Sequence, residues 1–391
     1  MNRQAAKLTR AFALVAYAML MLFVGTTLPT PLYRVYQQNL HFSSGILTLV
    51  FAVYVFTLLP SLLLFGRISD QVGRRPMLLA GMSLACLSAV LFAVSHGLGW
   101  LFAARALQGV ATGITTGTAT AALAELEPRT DVARAALIAS LANVGGAALG
   151  PLLGGLLAQY GPWPLVLPYL VYLALLTPLF QLASIPETVT RSPQFTLRLT
   201  RPQIPNDIWA MFALAAAVSF TVWAATALFL TLAPSYVATL LHIDNLALGG
   251  GVVFLMLAAS AAAQAILRCL EQRSAILIGL LLLTAGLGGV VLAAPLGWAS
   301  LMFGGAAITG MGQGLAYLGS LALLNQIAPP HQRGEVTSGF YIATYLGVGA
   351  WRRVRGSACR IVRGSCFICE RSRSRISGLD GRMLACSVSL G

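Results

Sequence analysis

Stretches of about twenty apolar residues recur along this chain, at roughly 11–31, 44–65, 76–95, 98–123, 134–158, 164–185, 208–233, 247–267, 274–294, 298–325 and 335–350. Each is long enough to cross a hydrocarbon layer of about 30 Å as an α-helix, and a helix satisfies its own backbone polar groups in lipid. The pattern predicts an all-α polytopic membrane protein with ten full helices and an eleventh that is cut short. Composition agrees: 58% of the 391 residues are hydrophobic and 9% are charged, against about 25% charged in soluble domains. Arg3, Lys7 and Arg10 ahead of the first apolar run imitate a secretory leader, but "GTTLPTPLY" has no small-x-small cleavage pattern. The first run is expected to stay as a membrane helix.

The net charge of +14 divides evenly. Residues 351–391 hold nine Arg against Glu370 and Asp380, and the preceding residues hold 16 Lys and Arg against nine acids, +7 in each part. Within the body the cations fall on alternate loops: Arg3/Lys7/Arg10, Arg67/Arg74/Arg75, Arg129/Arg134, Arg191/Arg198/Arg201, Arg268/Arg273 and Arg333, against Arg34 on the opposite side. That asymmetry predicts a cytoplasmic N-terminus and a cytoplasmic central linker, with Trp100, Trp163 and Trp298 at the outer interface. It leaves no basic patch for nucleic acid. Four of the six cysteines lie beyond residue 351, where "CFIC" lacks a second pair or a nearby His, so no metal site is expected. Cys86 and Cys269 read as small apolar residues.

The chain repeats itself. Shifted by 201 residues, Phe102, Ala106, Gly109, Gly113, Ala121, Leu123 and Pro128 fall on Phe303, Ala307, Gly310, Gly314, Ala322, Leu324 and Pro329. Two parallel repeats related about the membrane normal would give this. The expected division is a six-helix bundle over 1–185, a polar cytoplasmic linker over 186–206, an incomplete second bundle over 207–350, and a basic tail over 351–391.

Three stretches carry chemistry. In "GRISDQVGRRPM" two apolar helices are joined by a sharp turn, for which Gly66 and Gly73 carry no side-chain penalty. Asp70 lies there among Arg67, Arg74 and Arg75, where charge-assisted hydrogen bonds can form and break. In "RALQGVATG", Arg105 sits about 9 Å into the bilayer at 1.5 Å per residue, a depth at which a charge must face protein or water. With Gln108, Thr112, Thr115/Thr116 and Thr120 it draws a polar stripe that is expected to face a central cavity, though interhelical hydrogen bonding explains the threonines equally well. In "GGAALGPLLGG", Gly146, Gly150, Gly154 and Gly155 allow close backbone approach, and Pro151 bends the helix. Their expected neighbour is the eighth helix, which opens with Gly249-Gly250-Gly251.

In this order the three stretches resemble the signature loop, fourth-helix motif and fifth-helix motif of the major facilitator superfamily, the third being similar to that of its drug:proton antiporter branch. The resemblance covers residues up to about 350. It implies two six-helix bundles that rock about a mid-membrane site, and a secondary active exporter of a small solute, coupled to protons, acting as a monomer in the cytoplasmic membrane without a cofactor. Gly66, Asp70, Gly73, Arg74 and Arg75 would form the conformational switch, touching the second half near the eleventh helix in one state. Arg105, Gln108, Thr112, Asn143, Thr221, Trp223, Gln264, Gln313 and Tyr317 are candidate cavity contacts. The second half departs from the pattern: "RCLEQR" stands for the loop, and Ala306 stands opposite Arg105.

None of the eleven acids lies mid-helix; Glu125 and Asp207 come nearest. Arg105 without a buried acid favours an anionic or neutral solute, so a facilitator or importer of such a metabolite is the alternative. His41, His96, His242 and His331 sit at loops without an intramembrane partner, which argues against an enzyme. By the 201-residue shift a twelfth helix should occupy 365–386, yet that window holds Glu370, Arg371, Arg373, Arg375, Asp380 and Arg382. At about 2.5–3.5 kcal/mol per central charge it cannot span. Residues from 351 on are therefore expected to be a non-native, frame-shifted end, and the chain a remnant with weak or absent transport.

Overall fold

The first apolar run forms two helices, because Pro29 and Pro31 interrupt it: α1, Asn2–Thr27, and α2, Pro29–Leu40. Together they give a candidate span of 35 residues, Ala6–Leu40, longer than the apolar run suggests. The computed structural model describes residues 2–188, 205, 207–241, 245–267, 269–296, 298–327 and 333–349. Most of the polar linker and the basic stretch 351–391, with the expectation of a non-native tail, lie outside the described residues.

The first half continues with α3 (Ser44–Val72), α4 (Arg74–Ala93), α5 (Leu98–Leu126), α6 (Val132–Tyr160) and α7 (Leu167–Leu176). Side-chain caps start two of these: Ser43 Oγ accepts from Ile46 N, and Asp131 accepts from Arg134 N. Pro178 tightens the chain after α7 into a 3₁₀ segment, Thr177–Ser184, which completes the sixth span. The second half holds α8 (Trp209–Leu241), α9 (Leu246–Ile266), α10 (Gln272–Leu296), α11 (Ala299–Ile327) and α12 (Arg333–Gly349). Asn245 caps α9 by accepting from Ala247 N and Leu248 N.

Among the described residues nine segments have the length and hydropathy to cross a membrane. Helix α5 has the length, at 29 residues, but Arg105, Gln108 and its threonines dilute its apolar character. With the 17 residues of α12 this matches ten helices and part of an eleventh.

The internal repeat is visible as packing. Gly113 meets α3 so closely that a Cβ there would lie 2.6 Å from Ser61 Cβ, and Gly109 sits against the Tyr54 carbonyl one turn away. Their repeat mates Gly310 and Gly314 press in the same way on the Met256 and Ser260 carbonyls of α9. Small residues let backbones touch where lipid supplies no hydrophobic drive, so α3 and α5 in one half reproduce α9 and α11 in the other. Around these seams the first half buries Tyr36, Phe92 and Tyr169, with the Tyr36 hydroxyl donating to the Phe92 carbonyl at 2.9 Å. The second half buries Phe212, Val222, Tyr317, Leu324 and Phe340. Phe56, Phe180, Leu281 and Val291 point outward, as a lipid-facing surface requires.

Candidate functional site

At the turn between α3 and α4, Gly73 takes φ 112°, a conformation that disfavours any side chain. It alone makes the turn; Gly66 lies within α3, contrary to the expected two-glycine hinge. The first N–H groups of α4 have no helical acceptor. The Glu187 carboxylate takes them, accepting from Arg74 N at 2.7 Å and Arg75 N at 3.1 Å. The Arg74 guanidinium is buried here. It pairs with Asp70 at 2.6 Å, donates to Ser69 Oγ at 2.6 Å and forks onto Glu125 at 2.8 and 3.2 Å. Thr188 Oγ1 donates to the same Glu125 carboxylate. Thus Asp70 and Arg74 come together as expected, while the Arg75 side chain is exposed and contributes its backbone N–H. Among the described residues these ion pairs stay inside the first half; the expected contact near the start of the eleventh helix, α12, falls on side chains outside the described ones. Nothing in the spacing of Glu125, Glu187 and Thr188 along the sequence connects them to this loop. The one signal was an acid beside the end of the sixth apolar run.

Arg105 is 2% exposed, enclosed by groups from the neighbouring helices. Its Nε donates to the Tyr33 hydroxyl, and its Nη1 to the Thr26 carbonyl at 3.1 Å and to Gln108 Oε1 at 2.5 Å. Gln108 in turn donates to the Gly25 carbonyl at 2.7 Å. The rings of Tyr33, Phe51, Tyr54 and Phe92 surround the guanidinium carbon at 4.8–5.9 Å. No carboxylate among the described residues pairs with it. A buried cation needs compensation, and here four π faces and three acceptors supply it. Tyr33 was missed because it lies on the short α2 extension past the first apolar run.

The threonine stripe divides. Thr112 and Thr120 donate to carbonyls one turn back on α5. Thr115 packs against Gly81 of α4, and the buried Thr115 and Thr116 hydroxyls have no partner.

Between the halves, α6 runs against α9. The motif on α6 has two faces: Gly146 and Gly150 meet the carbonyls of Leu20 and Val24 on α1 and Gly154 that of Leu28 just beyond it, whereas Pro151 and Gly155 meet α9. A Cβ on Gly155 would stand 2.6 Å from the Leu246 carbonyl, and Gly250 presses on Pro151. Gln159 Oε1 accepts from Leu246 N at 2.8 Å at one end of the seam. Near the other end Ser140 Oγ donates to Gln264 Oε1 at 2.6 Å. From there a relay continues: Gln264 Nε2 donates to Ser260 Oγ at 3.3 Å, and Ser260 donates to Gln313 Oε1. Gln313 Nε2, Trp223 Nε1 and Asn143 Oδ1 are buried atoms without a partner. Tyr317 is buried edge-on against Trp223, 5.7 Å between centroids, and Thr221 bonds to the Ala217 carbonyl of its own helix.

Comparison with known proteins follows the same lines. "Multidrug resistance protein D" of Escherichia coli (strain K12) is 34% identical over 126 residues, and the matched stretch spans 32% of this chain and 32% of that protein. The solved structure of the nucleoside transporter NupG superposes with a TM-score of 0.66 at 12% identity, covering 88% of this chain and 89% of that one. That of the human organic anion transporter MFSD10 (TETRAN) gives 0.62 at 20% identity, covering 89% and 92%. These structures establish the shared fold. The family model described as Major Facilitator Superfamily matches residues 13–351, and the chain belongs to that superfamily, one of multi-pass membrane transporters and not of enzymes.

Proposed function

We propose that this chain is a secondary active transporter that carries a small organic solute across the cytoplasmic membrane by alternating access, exporting it in exchange for protons. The observation that carries the proposal is the seam of α6 on α9, where Pro151 and Gly155 face Gly250 and Leu246 with almost no side chain between the backbones. Two bundles joined by such a contact can slide and rock without repacking large side chains. The bundles would be 1–185 and 207–350, with 186–206 linking them and 351–391 taking no part in transport. Arg74, held by Asp70 and Glu125, would act as a bistable electrostatic catch at the cytoplasmic end. The positive-inside asymmetry supports that orientation. The name of the multidrug resistance relative supports export, and a single chain in lipid would suffice as the working unit.

A second reading is uncoupled facilitation of a neutral or anionic solute. It is favoured by the placement of the acids: Asp70, Glu125, Glu127, Asp131 and Glu187 gather at one end of the first half, and α8, α9 and α11 contain no Asp or Glu. Flux into proteoliposomes containing the full chain separates the two. Coupled export predicts accumulation driven by an imposed proton gradient and abolished by an ionophore. Equilibration without accumulation selects the facilitator, and no protein-dependent flux contradicts both.

A further inference from the structure

We propose, building on the transport reading above, that the wall formed by α8, α9 and α11 is a subsite for an aromatic, neutral or anionic solute that presents acceptor oxygens, and that it rejects cationic amines. Two unpaired donors carry this. Trp223 Nε1 is buried without a partner, and an indole N–H can only donate. Gln313, 0% exposed, also has an unpaired Nε2. Its direction follows from the relay. Ser140 gives its proton to Gln264, Gln264 donates to Ser260, and Ser260 donates to Gln313 Oε1, so the free end of the chain of hydrogen bonds is an N–H.

The two donors flank Tyr317. Trp223 meets its ring at 80°, and Gln313 lies one helical turn away on the same face of α11. Tyr317 and Phe340, 6.2 Å apart, extend the aromatic surface. Buried polar groups in native proteins are paired as a rule, so two orphaned donors beside these packed rings mark a place where a ligand's acceptors belong. An amine would bring further N–H groups to these donors and find no carboxylate on α8, α9 or α11. At the position that repeats Gln313 the first half carries Thr112, whose hydroxyl donates to the Gln108 carbonyl of its own helix.

The test uses three probes that share a ring system: naphthamide, naphthoate and naphthylmethylamine, measured by equilibrium dialysis against the full chain in lipid nanodiscs. Both acceptors should bind at least about tenfold more tightly than the amine, the effect of a 1.4 kcal/mol difference. Trp223→Phe keeps the ring and removes the donor, and Gln313→Leu keeps the bulk; each should weaken the two acceptors several-fold and leave the amine unchanged. The proposal is overturned if the amine binds as tightly or more tightly, which would mean that the two amides run the other way. It is also overturned if both variants shift all three probes alike, or if neither acceptor binds saturably. Counterflow of the same probes in proteoliposomes separates the two proposals. Exchange with an amine preference removes the subsite and keeps transport, whereas acceptor binding without any exchange keeps the subsite and removes transport.

Discussion

The Ser140 hydroxyl on α6 donates to Gln264 Oε1 on α9 at 2.6 Å, a hydrogen bond from one repeat to the other. Its partners are fixed in turn, because Gln264 also holds Ser260. The bond should therefore be worth measurable free energy to the seam. A double-mutant cycle of Ser140→Ala and Gln264→Leu, read by unfolding in mixed micelles, should give a coupling of about 1 kcal/mol, within the range of hydrogen bonds between membrane helices. Simple additivity would show that the two side chains do not act on one another.

Glu187 should behave as an anionic cap of α4. Glu187→Gln removes the charge that favours a helix N-terminus and should cost about 0.5–1 kcal/mol; Glu187→Ala also orphans two N–H groups and should cost more, about 1–2 kcal/mol. Gly73→Ala should destabilise too, since φ 112° suits no side chain and a Cβ would stand 2.5 Å from the Glu187 carboxylate. Equal stability of all three variants and the parent chain in thermal unfolding would remove the cap.

Arg105 is expected to be required for both folding and transport. Arg105→Ala leaves Tyr33, Gln108 and the Thr26 carbonyl without their donor, at about 1–3 kcal/mol for each group left unsatisfied. Arg105→Lys keeps the charge among the rings but cannot reproduce the fork, so partial flux is expected. Parental flux and stability in Arg105→Ala would contradict the cage.

Asp70→Asn should slow turnover with solute affinity nearly intact, because Asp70 acts on Arg74 at one end of the molecule, far along α3 from Tyr54 and the Arg105 cage. Rapid-exchange flux and equilibrium binding, measured on the same preparation, check this. A large loss of binding in folded protein would place Asp70 in the solute site.

Sequence showed the elements and not their partners. The helices follow from hydropathy, which acts locally, and α5 is legible as an apolar run despite Arg105, Gln108 and its threonines. The repeat of Gly109 and Gly113 at Gly310 and Gly314 was legible because close packing of helices demands small residues at fixed spacing. Arg105 was identified correctly as a costly buried charge, but the remedy was hidden, since Tyr33, Phe51, Tyr54 and Phe92 come from three other helices and nothing in their spacing names a cation. Gly66 was assigned to the turn because glycine permits one, whereas the neighbouring residues continue the helix through it. Glu187 reaches α4 across more than a hundred residues, and such a contact has no periodicity to betray it.

Reciprocal movement of the two ends is the core of alternating access, and spin-label distances report it most directly. In a chain whose native cysteines are replaced, one label pair at Arg75 and Arg273 would span the arginine-bearing end, and another at Trp100 and Trp298 the tryptophan-bearing end. All four positions are exposed. Pulsed electron spin resonance in nanodiscs, in acidic and alkaline buffer and with naphthamide, should give two populations for each pair. A condition that lengthens the first distance should shorten the second. A single distance at each end, unchanged by pH and by solute in properly folded protein, would contradict the account.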